Sequence, residues 1–254
     1  MLLVITGCIK VDNATPYVTI RDTEERLNDY IRTIRWAVEE TSFTNIIFGD
    51  NSNYDLESVP ELSELRRKCV DYKKRLEYYS FEGNTQAVQQ YGKGYGEGEI
   101  LSYLYDHSEL MRKCPYYYKI TGRLTIENII KVNLSEKAEN VFIFDVGLGS
   151  VDTRFYKLKM SDYRNFFKNA YLKVNDSENR CLEYVYYDVL SANKLGFKRF
   201  SRSLEFRGKS GSSGTEYCQS FRENVIYERI YLSFLYSTYW GRNVLRKIRR
   251  LIIK

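Results

Sequence analysis

The stretch LLVITGCI, residues 2–9, decides the fold class of this chain. It is a continuous apolar run, as expected of a strand that is buried on both faces of a parallel sheet. A helical pattern follows at 23–40, behind the start signal formed by Asp22 and Thr23. NIIFGD, residues 45–50, is a second short apolar run. Strand, helix and strand in this order predict a right-handed crossover between parallel strands.

The rest of the chain continues this alternation. Strand patterns lie at 77–81, 116–120, 140–146 and 153–160, and helical patterns at 60–76, 96–111, 125–133, 161–172, 178–193 and 217–240. We therefore predict an α/β fold with one domain, residues 1–216, built on a mostly parallel central sheet. Residues 217–254 are predicted to form a C-terminal helical segment, preceded by a flexible Gly/Ser-rich loop at 207–216.

Charge limits the classes of function. The chain has a formal net charge of +6, and its last stretch, RNVLRKIRRLIIK at 242–254, has six basic side chains and no acidic one, which accounts for the whole excess. A nucleic-acid binder normally carries its basic face on the folded domain, so no nucleic-acid partner is expected. The five cysteines are odd in number and widely spaced, which supports neither a disulfide framework nor a zinc site.

The sequence also bears on localisation. No apolar run approaches the roughly 18 residues that a membrane span requires. The apolar N-terminus lacks a basic region before it and is interpreted as the first strand, not as a secretion signal. We expect a cytoplasmic protein.

Three polar residues follow the predicted strand 45–50. Asp50, Asn51 and Asn53 lie at the carboxyl end of this strand, where ligands bind in open α/β sheets. Their short side chains could hydrogen-bond a ribose or a base. The alternative is a local turn in which the same side chains bond only to nearby backbone groups.

A glycine-rich stretch, YGKGYGEGE at 91–99, precedes a predicted helix. Glycines such as Gly94 and Gly96 let backbone amides approach a phosphate, and Lys93 adds a positive charge. The stretch matches neither the P-loop nor the G-x-G-x-x-G pattern. It predicts a phosphate contact or, alternatively, only a flexible entry to the helix.

KITGR, residues 119–123, places Lys119 and Arg123 on either side of Gly122, which allows a sharp turn. These two residues could be solvated surface charges. Together with Lys93 and Arg154 they could instead neutralise a diphosphate without a metal, since fixed cations stabilise developing negative charge as a metal does. The chain contains no Asp-x-Asp carboxylate pair, so no metal ligands are predicted.

Eight stretches follow one another along the chain: ITGCI, TIRDTEERLNDYIRTIRWAVEETSFTNIIFGDNSNYD, FEGN, QYGKGYGEGEI, YYKITGRL, VDTRFYK, CLEYVYYDVL and RGKSGSSGTEY. Their order resembles that of bacterial capsule and lipopolysaccharide O-antigen glycosyltransferases. The likeness covers residues 1 to about 217, and GKGYGEG and KITGR are its more specific parts.

This resemblance implies a GT-A-like, Rossmann-related fold and a nucleotide-sugar donor. It implies that Asp50 and Asn51 hold the nucleoside and that Lys119 and Arg123 face the diphosphate. The chain departs from most GT-A enzymes because it lacks Asp-x-Asp, which argues against a bound divalent metal.

An inverting sugar transfer needs a carboxylate within hydrogen-bond reach of the acceptor hydroxyl. Asp152, Glu97 and Glu183 are the candidates, and Asp152 is preferred because Glu183 lies on a predicted helix, where glutamates are usually solvated. The single histidine, His107, is not included, because a helical histidine of this kind is more often structural or exposed.

The basic stretch 242–254 is amphipathic, with its apolar residues at helical spacing. It could lie on an anionic membrane surface, where each cation contributes about 1 kcal/mol, or it could pack on the domain as a terminal helix. Membrane association would suit a lipid-linked glycan acceptor and a peripheral position at the inner face of the plasma membrane.

Three hypotheses of function follow from these patterns. The first is a glycosyltransferase that moves a sugar from a nucleotide-sugar donor, with a UDP-sugar favoured, to a lipid-linked or growing surface polysaccharide. The second is a transferase that uses a CMP-sugar, from which only one phosphate leaves. The third is a noncatalytic nucleotide- or carbohydrate-binding protein of a polysaccharide assembly complex.

Overall fold

A computed structural model describes residues 1–15, 18–135, 137, 139–145, 148–209 and 214–217. The helix predicted at 217–240 lies outside the described residues except for its first position, and the basic stretch 242–254 lies outside them entirely. The boundary predicted between residues 216 and 217, and the C-terminal helical segment beyond it, therefore stay predictions.

The described residues form strands and helices in alternation. The strands are β1 (Leu2–Gly7), β2 (Asn45–Asp50), β3 (Arg75–Ser80), β4 (Tyr116–Thr121), β5 (Leu124–Ile126), β6 (Asn140–Val141), β7 (Phe144–Asp145), β8 (Ser150–Val151), β9 (Phe155–Lys159), β10 (Phe197–Lys198) and β11 (Phe206–Gly208). The helices are α1 (Thr23–Glu39), α2 (Pro60–Asp71), α3 (Thr85–Tyr91), α4 (Lys93–His107), α5 (Glu109–Lys113), α6 (Met160–Asp162) and α7 (Leu182–Ala192).

Seven of these strands form the central sheet, in the order β10-β6-β9-β4-β1-β2-β3. β1 pairs in parallel with both β2 and β4, and β2 pairs in parallel with β3. β9 is antiparallel to its neighbours β4 and β6, whereas β10 is parallel to β6. The predicted α/β fold with a mostly parallel central sheet is therefore confirmed, and it is compatible with a Rossmann-like arrangement.

The alternation of side chains along β1 explains how the sheet is covered on both faces. Leu3 and Ile5 belong to one buried cluster, together with apolar residues of α1 and α2. Leu2 and Val4 belong to a second cluster, together with residues of α4 and α7. All six residues of β1 are buried, so the continuous apolar run reflects a strand between two helical layers.

Local signals set the starts of the first helices. The Asp22 carboxylate caps α1 by accepting a hydrogen bond from the backbone N–H of Glu25 at 2.7 Å. Pro60 occupies the first turn of α2, where backbone N–H groups make no hydrogen bond within the helix, so the missing N–H of proline costs nothing there. These are the positions at which the sequence predicts the two helices to begin.

The helix predicted at 125–133 is wrong. β5 pairs with β11 instead, and a short 3₁₀ helix, Ile129–Lys131, follows it. The side chain of Asn128 fixes this conformation by donating to the Ser203 carbonyl at 2.8 Å and accepting from the Glu205 N–H at 3.0 Å. Because these partners lie about 75 residues away in sequence, the local apolar pattern could not reveal them.

Two further segments differ from their predicted form. The single helix predicted at 161–172 is divided into the end of α6, a π-helical turn (Tyr163–Phe167) and a 3₁₀ turn (Ala170–Lys173). The aromatic side chains of Tyr163 and Phe167 pack against Tyr117 and Tyr186, and this packing overrides a regular helix. The strand predicted at 140–146 is divided into β6 and β7, which belong to different sheets.

The described helices also bear on membrane insertion. None of those within the described ranges is both long enough and apolar enough to cross a membrane.

Candidate functional site

A cavity of about 1250 Å³ opens at the carboxyl ends of the parallel strands. Cys8 follows β1, Asn51 and Asn53 follow β2, and Arg123 follows β4, and all four line it. Residues at the beginnings of α4 and α7 line it as well. The cavity therefore lies where ligands bind in open α/β sheets.

The structure brings nine of the thirteen predicted site residues to this cavity. They are Asn51, Asn53, Lys93, Gly94, Gly96, Glu97, Arg123, Arg154 and Glu183. The other four, Asp50, Lys119, Gly122 and Asp152, are not among the lining residues. Each of these four contacts protein groups that organise the cavity, as described below.

Arg123 is the most unusual residue of the cavity. Its side chain is only 6% exposed, and its Nη1 atom is buried without a hydrogen-bond partner. An unpaired buried charge is costly, so such groups are normally paired or serve a ligand. Nη1 of Arg123 therefore lacks the hydrogen-bond acceptor that a buried guanidinium group normally has.

Gly122 allows Arg123 to reach this position. Its backbone N–H donates to the Thr6 carbonyl of β1 at 2.9 Å. A Cβ atom at Gly122 would lie 2.4 Å from that carbonyl oxygen and 2.9 Å from the Tyr30 ring. Gly122 is thus a close-packing position between β1 and the turn after β4, not a direct ligand contact.

Lys119 does not have the predicted role as a phosphate ligand. Its side chain is 0% exposed, and its Nζ atom lies 2.6 Å from Glu97 Oε1. The same ammonium group donates to Thr121 Oγ1 at 2.8 Å and to the Thr153 carbonyl at 2.7 Å. Burial lowers the pKa of Lys119, and the Glu97 carboxylate opposes that effect. Lys119 therefore holds Glu97 from beneath the cavity.

Asp50 is also buried, at 0% exposed. The donors to its carboxylate include the N–H groups of Ile9 at 2.7 Å and Ser52 at 2.9 Å, and the hydroxyl of Ser80 at 3.1 Å. Asp50 thus joins the segments that follow β1 and β2 to the end of β3. Because two of these donors are distant in sequence, the local-turn interpretation describes only part of its bonding, and Asn51 and Asn53 reach the cavity.

We expect Asp50→Ala to lower the free energy of unfolding by roughly 3 kcal/mol or more, because it leaves several buried donors unpaired at about 1–3 kcal/mol each. Urea denaturation at pH 7 measures this change. Asp55→Ala is the matched control, since this exposed carboxylate accepts one N–H bond, from Ser58 at 3.3 Å, and should cost about 1 kcal/mol or less. Equal losses in both variants would contradict the assigned role of Asp50.

The glycine-rich stretch 91–99 is not a loop. It covers the end of α3 and the first two turns of α4, with Gly92 between the two helices at φ +100°. A Cβ atom at Gly98 would lie 2.1 Å from Tyr171, and one at Gly94 would lie 3.0 Å from Leu182. These glycines let α4 pack closely against neighbouring segments, which is a reason for glycine that a phosphate-binding pattern does not distinguish.

Gly98→Ala is expected to destabilise the fold by about 1–3 kcal/mol, because the added methyl group overlaps Tyr171 in a packed interface. Gly196→Ala is the matched control, since a Cβ atom there meets nothing within 4 Å. Thermal denaturation of the two variants compares the effects. An unchanged melting temperature for Gly98→Ala would show that α4 and Tyr171 separate at no cost.

The three candidate carboxylates lie in different surroundings. Asp152 forms a bidentate ion pair with Arg154, with 2.5 Å between Oδ2 and Nη2 and 3.0 Å between Oδ2 and Nε. Glu97 is paired with Lys119, and burial raises the pKa of its carboxyl group. Glu183 accepts a hydrogen bond from Thr153 Oγ1 at 2.7 Å and has no ion pair among the described residues. Of the three, Glu183 is the one that lines the cavity without a cationic partner of its own.

Sequence reasoning missed two contributors to the cavity. Asp176 accepts a hydrogen bond from the Lys93 backbone, while its buried Oδ1 atom has no partner, and burial together with the Glu183 charge raises its pKa. Arg26 supports the cavity from α1 by donating to the carbonyls of Cys8 and Ile20. The polar turn NDSEN at 175–179, just before α7, is the signal that could have indicated Asp176.

The side chains of the cavity also bear on metal binding. In the part of the chain that the structure describes, no group of three or more His, Cys, Asp or Glu side chains could hold a metal ion. The described residues that line the cavity include six cationic side chains, Lys10, Arg26, Lys93, Arg123, Arg154 and Lys209.

Comparison with known proteins identifies no family for this chain: no family model matches it, and no curated protein matches it. Fold and site together define an α/β protein with a charged cavity at the carboxyl edge of a mostly parallel sheet.

Proposed function

We propose that this chain is a glycosyltransferase that moves a sugar from a nucleotide-sugar donor, a UDP-sugar, to a glycan acceptor. The observation that carries this proposal is the unpartnered guanidinium group of Arg123, buried in a large cavity at the carboxyl ends of β1, β2 and β4. A leaving diphosphate is an anion that such a group binds with two hydrogen bonds.

Neighbouring residues of the cavity are proposed to bind the other parts of the nucleotide-sugar donor. Asn51 lines the cavity after β2, and its buried Oδ1 atom has no partner, which suits a hydrogen-bond donor on a ribose or base. Lys93 lines the same cavity as Arg123 and adds positive charge for the two phosphates, whereas the charge of Arg154 is balanced by Asp152. The mixed sheet, with β9 antiparallel in an otherwise parallel order, is compatible with the proposed GT-A arrangement.

The proposed chemistry is the inverting form of the transfer. Glu183 accepts the proton of the acceptor hydroxyl, whose oxygen attacks the anomeric carbon of the sugar. The bond between that carbon and the diphosphate breaks, and its electron pair leaves with the diphosphate, which Arg123 stabilises. Glu183 replaces Asp152 as the preferred base because the carboxylate of Asp152 is bound to Arg154.

The acceptor is proposed to be a lipid-linked or growing surface polysaccharide. This part of the proposal is supported by the basic amphipathic stretch 242–254. Deleting these residues is expected to release the protein from anionic vesicles in a sedimentation assay, with the melting temperature of the remaining domain unchanged. Vesicles of neutral lipid are the control, and equal sedimentation of both forms with anionic vesicles would contradict the proposed membrane contact.

Calorimetry with UDP and CMP, followed by a turnover assay with a panel of UDP-sugars, tests the function. We expect UDP to bind more tightly than CMP, because two phosphates would meet Arg123 and Lys93, and we expect UDP release from at least one donor. Tighter binding of CMP would indicate the alternative CMP-sugar transferase. Binding of UDP without hydrolysis or transfer of any donor would indicate a noncatalytic binding protein.

A further inference from the structure

The cavity is lined by both cations and acids. The cations come from α1, from the start of α4, from the segment before β9 and from the segments after β1, β4 and β11: Lys10, Arg26, Lys93, Arg123, Arg154 and Lys209. Acids come from α4, from the 3₁₀ turn Asp176–Glu178 and from α7: Glu97, Asp176 and Glu183. Asp12 and Glu82, which follow β1 and β3, also line the cavity.

Lys93 interacts with cations and with acids of the cavity. It is the first residue of α4, and its ammonium group interacts electrostatically with Asp176 and Glu183 as well as with Arg123. The acids are therefore close enough to the anion-binding residues for one ligand to contact both groups.

Two of the three acids remain available to a ligand. The charge of Glu97 is balanced by Lys119 from beneath, at 2.6 Å. Glu183 is oriented by the Thr153 hydroxyl at 2.7 Å, and Asp176 has a buried Oδ1 atom without a hydrogen-bond partner. The cavity is thus lined by a cation, Arg123, with a buried nitrogen that lacks a partner, and by a carboxylate, Asp176, with a buried oxygen that lacks one.

A ligand that contacts both Arg123 and the acids Asp176 and Glu183 must have two chemically different ends. The end at Arg123 is an anion. The end at Asp176 and Glu183 must donate hydrogen bonds, since ionised carboxylates only accept them. Hydroxyl and ammonium groups fit this requirement, whereas a carboxylate at the same place is repelled by both acids.

We propose that the sugar of the donor is neutral or carries an amine, and that Asp176 and Glu183 select against sugars that carry a carboxylate. This inference rests on the proposed function and narrows its substrate class. It excludes uronic acids and other acidic sugars as donors, although the chain has an overall positive charge.

Two probes that differ only at C6 test this selection, namely UDP-glucose and UDP-glucuronate, with UDP as the reference ligand. By calorimetry we expect wild-type protein to bind UDP-glucose at least tenfold more tightly than UDP-glucuronate. Glu183→Gln and Asp176→Asn should each reduce this ratio at least threefold, while the affinity for UDP changes by less than twofold. Asp188→Asn is the matched control, because this exposed residue of α7 pairs with Arg180 and does not line the cavity.

The outcomes separate this inference from the function on which it rests. Equal or tighter binding of UDP-glucuronate by a wild-type protein that binds UDP would overturn the selection and leave the anion site intact. An unchanged ratio in both variants would overturn the roles of Asp176 and Glu183. Failure of UDP itself to bind would overturn the proposed function, and the selection with it.

Discussion

Arg123→Ala is expected to weaken the binding of UDP by about 30- to 150-fold. The physical reason is the loss of charge-assisted hydrogen bonds to the diphosphate, worth about 2–3 kcal/mol in total. The binding of uridine, which has no phosphate, should change by less than twofold. Calorimetry with the two ligands measures both quantities on the same preparation.

The control for this experiment is Arg207→Ala. Arg207 lies on β11, and β11 pairs with β5, the strand that begins directly after Arg123. The side chain of Arg207 is 75% exposed and forms an ion pair with Glu127. The Arg207→Ala variant should bind UDP as tightly as the wild-type protein does. Equal affinity of Arg123→Ala and wild type for UDP would remove Arg123 from the site.

Arg123→Met separates binding from folding. Because Nη1 of Arg123 is buried without a hydrogen-bond partner, replacing the guanidinium group by an apolar side chain of similar length should leave the free energy of unfolding unchanged or raise it. Loss of UDP binding together with equal or greater stability is the expected result for a ligand-binding residue. A large loss of stability would indicate a structural role instead.

Glu183→Gln is expected to lower kcat by about 10²- to 10⁴-fold, which is the usual contribution of a general base. The affinity for UDP should change by less than twofold, since the amide retains the hydrogen bond from Thr153 and the diphosphate lies at Arg123. Initial rates of UDP release at saturating donor and acceptor measure the effect, and Asp188→Asn on the same helix is the control.

The competing candidates give distinguishable results. Glu97→Gln removes the partner of a buried ammonium group, so it should lower stability as well as activity. Glu183→Gln should lower activity alone. If Glu183→Gln retained wild-type kcat, the base would have to be sought elsewhere in the cavity.

The fold was predictable where local and tertiary preferences agree. β1, α1 and β2 begin within one residue of their predicted starts, because each has a start signal or an apolar run that no distant contact opposes. The segment 125–133 was not predictable, because its conformation depends on β11 and on the residues that bond to Asn128.

The sequence predicted which segments of the chain meet at the site, but not the role of each residue within them. Positions at the carboxyl ends of strands indicated Asn51 and Arg123, since topology places those ends together. The distinction between Arg123 and Lys119 depends on which cation meets a carboxylate, and Glu97 lies on a helix 22 residues earlier in the sequence. The alternation of side chains along β4 indicated part of this distinction. Lys119 lies on the same face of the strand as Tyr117, which is buried against α4 and α7, so Lys119 is expected to be buried too.

The ion pair between Lys119 and Glu97 has a consequence for the energetics of a reaction in the cavity. Both groups are fixed by β4, α4 and two threonines, so the electric field they create exists before any substrate arrives. In the proposed sugar transfer, water molecules would have to reorient when the charge at the anomeric carbon changes, and that reorientation would add to the barrier. Under the same proposal the dipoles of this ion pair are oriented in advance, and the work of orienting them was done when the chain folded.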